Sequence, residues 1–100
     1  MSAGEIRLQP EAESEVAEVV LWYEAHLPGL GIRFLASLES TLDSIRHNPY
    51  LHPEVDPGAR RALTQGFPFA VFFHLEAVSI TILAVRHQAQ DPLRWLGRFR

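Results

Sequence analysis

From Phe67 to His87 the chain reads "FPFAVFFHLEAVSITILAVRH", a run of β-branched and aromatic residues with few polar interruptions. Strands this apolar on both faces need cover on both faces, yet 100 residues suffice for one core and one domain, spanning 1–100. The rest of the sequence therefore has to supply that cover. Ala12, Val16, Val19, Val20, Tyr23 and Leu27 recur at spacings of three and four, which predicts a helix beginning at Pro10, with Glu11, Glu13 and Glu15 near its positive end. "PGLG" at 28–31 breaks it. A second helix is expected from about Ile32, with Leu35, Leu38, Leu42 and Ile45 as its buried seam, ending at Asn48-Pro49.

Ile6 to Leu8 predicts a short N-terminal strand, and strands are expected at Arg60 to Gln65, Phe69 to Leu75 and Val78 to His87, with "NPYLHPEVDPG" as a proline-rich loop. The fold class is α+β: an N-terminal strand, an antiparallel helical hairpin, then a three-stranded antiparallel meander with both helices on one sheet face. A short reversal at Glu76-Ala77, a poor two-residue turn and so expected as a loop of four that leaves the pairing intact, sets Leu75 opposite Val78, Phe73 opposite Ile80, Val71 opposite Ile82 and Phe69 opposite Ala84, all apolar and therefore core. The other face carries Phe72, His74, Leu83 and Val85. Two helices cover one side only, so these four are expected to await a partner segment, a dimer mate or the C-terminal segment. Each covered apolar side chain would contribute roughly 1.5–3 kcal/mol.

Charge divides the chain. Residues 1–59 hold three arginines against ten acidic residues, a balance of −7, while residues 60–100 hold six arginines against two acidic residues, a balance of +4. All nine basic residues are arginine, suited to planar contacts with carboxylate or phosphate, although a GC-rich genome would produce the same usage. The absence of cysteine excludes disulfides, thiolate catalysis and Cys-based zinc sites. The opening "MSAGEIRLQPEAESEV" lacks the apolar run of a signal peptide, and no apolar run is long enough for a membrane span, so a cytoplasmic chain with no membrane partner is expected. His47, His52 and Glu54 have no recognised ligand spacing; neither metal nor cofactor is expected.

Three stretches, "WYEAHLPGLGIRFLASLESTLDSIRHNPYLHP" at 22–53, "RRALTQGFPFAVFFHL" at 60–75 and "ILAVRHQAQDPLRWLGR" at 82–98, resemble in order and spacing the RelE/ParE superfamily of bacterial type II toxin–antitoxin toxins. The last, a histidine followed by Asp-Pro, Trp and Arg, looks like the ParE-like plasmid-stabilisation branch. The resemblance implies a toxin silenced by the C-terminal segment of a cognate antitoxin. Its activity would be inhibition of DNA gyrase, as in ParE-like members, or ribosome-dependent cleavage of messenger RNA, as in RelE-like ones; a degenerate toxin that only binds its antitoxin is a third reading.

Cleavage needs cations on the scissile phosphate and a proton-transfer group. RelE-like toxins place an arginine where this chain has Ala70, and a C-terminal tyrosine where it offers Trp95. Arg60, Arg61, Arg86 and His87 are the candidates that remain for a ribonuclease. The expected reading is a protein-target inhibitor rather than an enzyme, with no direct nucleic-acid binding. "DPLRWLGR" is expected as a short terminal helix capped by Asp91, with Arg94, Trp95 and Arg98 available to a partner.

Overall fold

A computed structural model describes residues 5–90. In chain order these are β1 (Glu5–Leu8), α1 (Pro10–His26), α2 (Leu30–His47), a 3-10 turn (Pro49–Leu51), β2 (Glu54–Asp56), β3 (Ala59–Leu63), β4 (Phe69–Leu75) and β5 (Ser79–His87). The strands form one sheet in the order β1-β5-β4-β3-β2, with β1 parallel to β5 and the remaining pairs antiparallel. The α+β order of strand, helical hairpin and meander is as expected. Strand β2 was not expected: "EVD" sits among prolines, and only the turn at Gly58, whose φ of 83° favours glycine, folds it back on β3.

The helical hairpin is held at its connector by a carboxylate from the first helix. Helix α2 has no acidic residue in its first turn and no side-chain cap of its own, and Gly29 enters it at φ 90°. Glu24 of α1 fills that role, its two oxygens accepting from the Gly29 and Gly31 N–H groups at 2.8 Å each. These bonds hold the Glu24 carboxyl below its ordinary pKa. The helices cross closely because position 31 has no side chain: a Cβ there would lie 2.7 Å from the Val20 carbonyl oxygen and 2.9 Å from Glu24 Oε1.

One core lies between the helices and the sheet. Ala12, Phe34, Leu38, Leu42 and Ile45 meet Val71, Phe73, Ile80, Ile82 and Val85, all buried. The seam of α2 runs through Phe34 rather than Leu35, which is 37% exposed, and Leu27 of α1 is 53% exposed. Phe34 takes that place because its ring packs edge-on to both Phe67 and Phe69, with centroids 5.5 Å away in each case.

The β4/β5 register differs from the expected one in two ways. The Glu76 N–H donates to the Ser79 carbonyl at 2.9 Å, so the pairing is displaced by two residues and begins with Leu75 and Ile80, not Val78. A shift of two keeps the same residues inward. Then a bulge intervenes: Phe73 pairs with Ile82 but Phe72 pairs with Ala84, leaving Leu83 as the extra residue. Beyond it the alternation is inverted, and Val85 turns toward the helices, where it is 2% exposed.

The expectation that Phe72, Leu83 and Val85 form a bare apolar face is therefore corrected. Val85 belongs to the helix-side core through the bulge. Phe72 and Leu83 lie on the opposite face but are 2% and 8% exposed, in a second buried cluster with Ala59, Ala70 and Ala84 against which Val55 of β2 packs. His74 is exposed, yet it is engaged within the chain: its Nδ1 lies 2.8 Å from the Gly58 carbonyl oxygen, to which it donates, tying β4 to the β2–β3 turn.

Two outcomes follow from the connector. Gly31→Ala forces either the helices apart or Glu24 off its bonds, and is expected to lower unfolding free energy by about 1–3 kcal/mol in urea titration. Glu24 has a folded pKa below its ordinary value of 4.5, so its contribution is complete above that value and is lost as pH falls through the folded one. Melting temperatures between pH 6 and about pH 3 should fall less steeply in Glu24→Gln than in the wild type.

Candidate partner-binding groove

Strand β1 is shorter than β5, and this difference creates the site. The last rung between them is the Gln9 N–H donating to the Ile82 carbonyl at 3.0 Å. Past that point a side chain replaces the missing strand. Glu15 of α1 accepts the Val85 N–H on Oε1 at 3.0 Å and pairs through Oε2 with Arg86 Nε at 2.7 Å. Both side chains are about four-fifths buried, at 18% and 21% exposure, so this is a desolvated staple rather than a surface ion pair.

Alongside the staple, α1 and the end of the sheet leave a cleft of about 490 Å³ between Val19, Trp22 and Tyr23 on one wall and Pro68, Phe69 and His87 on the other, with Glu18 on its rim. A second hollow of about 290 Å³ continues it past Glu15, Val85, Arg86 and Gln90. The walls are aromatic. Tyr23 lies edge-on to Phe67 and Phe69 with centroids 5.0 and 6.2 Å away, and Phe69 lies edge-on to His87 at 5.4 Å. Burial raises the Tyr23 phenol, which stays neutral. Trp22 is 58% exposed, its indole held edge-on to Tyr23 at 5.2 Å and stacked on His26 at 3.9 Å. His26 is itself fixed by donating from Nδ1 to the Trp22 carbonyl at 2.7 Å, which also closes the last turn of α1.

His87 lies in this cleft, on the wall opposite Trp22. The Ala89 N–H donates to His87 Nδ1 at 3.0 Å, which puts the ring proton on Nε2 and leaves that N–H to point outward as a donor. The four ribonuclease candidates do not converge. Arg60 and Arg61 are on β3, paired with Phe73 and Phe72, while Arg86 and His87 pair with Ala70 and Phe69 on the far side of β4. Two strand spacings and about three residues along the strand separate the pairs by roughly 14 Å of backbone. Arg86 is committed to Glu15. Arg60 donates from Nη1 to the His52 carbonyl at 2.7 Å and lies 5.0 Å from the Tyr50 ring centroid, in a separate small cleft with Glu54 and His74.

His52 faces Ser44 Oγ at 3.1 Å, and its pKa is lowered chiefly by burial. Among the described residues no group of three or more His, Cys, Asp or Glu could hold a metal ion, and no helix is long and apolar enough to cross a membrane. Asp91, Arg94, Trp95 and Arg98 lie outside the described residues. Trp22 was not singled out from the sequence, though it could have been: residues 11, 15, 18 and 22 share one flank of α1, and a tryptophan ending a row of three glutamates has no core to enter.

A mixed sheet in this order, backed on one face by a helical hairpin, is the RelE/ParE type of fold. It is similar to a chain described as the chromosomal ParDE TA system from P. aeruginosa, with a TM-score of 0.74 at 15% identity, over 85% of this chain and 96% of that one. At that identity the likeness shows the fold. No curated protein matches the chain significantly. The family model of the ParE toxin of type II toxin–antitoxin systems, parDE, matches residues 6–92, and the chain belongs to that family.

The staple can be tested directly. Glu15→Ala removes both contacts, stranding the Val85 N–H and depriving the Arg86 guanidinium of its carboxylate, and should cost about 1–3 kcal/mol in chemical denaturation. Glu15→Gln retains a carbonyl oxygen for Val85 and should cost less.

Proposed function

We propose that this chain is the toxin of a type II pair, that a cognate antitoxin silences it by seating its C-terminal segment in the groove between α1 and the end of β5, and that it acts by binding a protein target, DNA gyrase, rather than by cutting RNA. The observation that carries the reading is the contrast between the groove and the basic residues. The groove offers an exposed tryptophan, a tyrosine and a phenylalanine around one cleft, the side chains that anchor protein interfaces. The arginines and the histidine that cleavage would need are dispersed across the sheet or already paired. Membership of the ParE family and a neighbour described as a ParDE system support the same direction. Cytoplasmic residence goes with a gyrase target, and no cofactor is involved.

The test is expression of the chain with and without the product of the adjacent reading frame, followed by assays on purified protein. Expected are growth arrest relieved by co-expression, loss of gyrase supercoiling or trapping of cleaved DNA, and intact messenger RNA in a translation reaction. Cut messenger RNA would instead establish the ribonuclease, and neutraliser binding without either effect would establish a binding module. Trp22→Ala, at an exposed position, should weaken the neutraliser roughly 30-fold, about 2 kcal/mol, while leaving the melting temperature near that of the wild type.

A further inference from the structure

We infer that the groove selects a partner segment of one chemistry: a large apolar or aromatic anchor with a lysine or arginine within about a turn of it, the anchor entering between Trp22 and Phe69 and the cation meeting Glu18. This rests on the reading that a polypeptide fills the groove, and adds to it what that polypeptide must carry. Among the charged groups facing the cleft, Glu15 and Arg86 answer each other at 2.7 Å, and His87 Nδ1 is taken by the Ala89 N–H. Pro68 and Phe69 bring no charge from the β4 side. Glu18 is left, exposed on the rim and shared by both hollows, with no ion-pair partner among the described residues.

Glu11, two turns earlier on the same flank of α1, is exposed as well and extends the negative stripe roughly 10 Å beyond Glu18. An acidic segment laid along α1 would meet like charge at each of these positions, whereas a basic one meets its complement. His87 Nε2–H, opposite, offers one donor to a carbonyl of the segment. Charge at a rim sets selectivity and encounter rate more than total affinity, so the aromatic end supplies the grip and Glu18 chooses the sequence.

The experiment is selection of random 12-residue peptides displayed on phage against the immobilised full chain at low ionic strength, with counter-selection on Trp22→Ala. Retained peptides should combine Trp, Phe, Leu or Met with a nearby Lys or Arg, and acidic residues should be depleted. For the best synthetic peptide, Glu18→Gln should lower affinity roughly two- to fivefold at low ionic strength and make it less sensitive to salt, while Glu18→Lys should shift selection toward acidic flanks. Enrichment of acidic peptides, or affinity indifferent to Glu18→Gln, would overturn the inference while leaving the toxin reading intact. A dimer of the chain that Trp22→Ala dissolves would assign the groove to a second copy and overturn it too. Retention of no peptide, because the groove is filled from within the chain or takes nothing, also overturns it; neutralisation by the adjacent product then decides separately whether the toxin reading survives.

Discussion

Strand β5 carries one residue more than β4 can pair with, and both faces of the sheet depend on where that residue falls. Before Leu83 the inward set is Ile80 and Ile82; after it, Val85. Without the bulge Ala84 would face the helices and Val85 would face away, exchanging a filled position for a gap on one side and adding bulk on the other. The bulge instead assigns Ala84, with Ala59 and Ala70, to the side where Phe72 and Leu83 need small neighbours. A sheet apolar on both faces is thereby divided into a large core under the helices and a smaller one behind it.

The same residue explains how far the sequence could be read. Helix α1, the order of elements and the inward set Val71, Phe73, Ile80 and Ile82 were legible because each follows from a period of 3.6 or 2. A bulge leaves no such mark. Alternation read straight through "ITILAVRH" assigns Val85 to the wrong face, while Phe72 and Leu83 keep the face expected of them and are buried there in the second cluster, against which Val55 of the unforeseen β2 packs. Strand β2 was hidden for a related reason: three residues between prolines have no period, and only pairing with β3 makes them a strand. The groove was not legible in the sequence: the anchors expected were Phe72 on the sheet and Trp95 with Arg94 and Arg98 beyond the described residues, whereas Trp22 joins Phe69 and His87 only after the hairpin folds onto the sheet.

Glu15 connects the core to the groove. The parallel β1 strand stops at the Gln9 rung, and a β5 edge continuing past it would present backbone groups to any passing strand. A carboxylate from the helix above takes the Val85 N–H, and in doing so it also holds Arg86. That single placement blunts the edge, fixes the distance between α1 and β5, and thus sets the width of the cleft beside them.

Placing acids on the helix and cations on the sheet then has a consequence for the kind of activity such a surface can support. Of the ten acidic residues in the first 59 positions, Glu11, Glu15 and Glu18 line one flank of α1, and the staple uses the middle one. Each arginine drawn into a structural bond, Arg86 to Glu15 and Arg60 to the His52 carbonyl, is a cation unavailable to a phosphate. Catalysis on RNA would require those groups to converge and to keep their donors directed at substrate. Here the fold draws Arg86 and Arg60 into its own structure, and leaves outward an aromatic cleft with a carboxylate at its lip, the surface on which the proposed polypeptide partner rests.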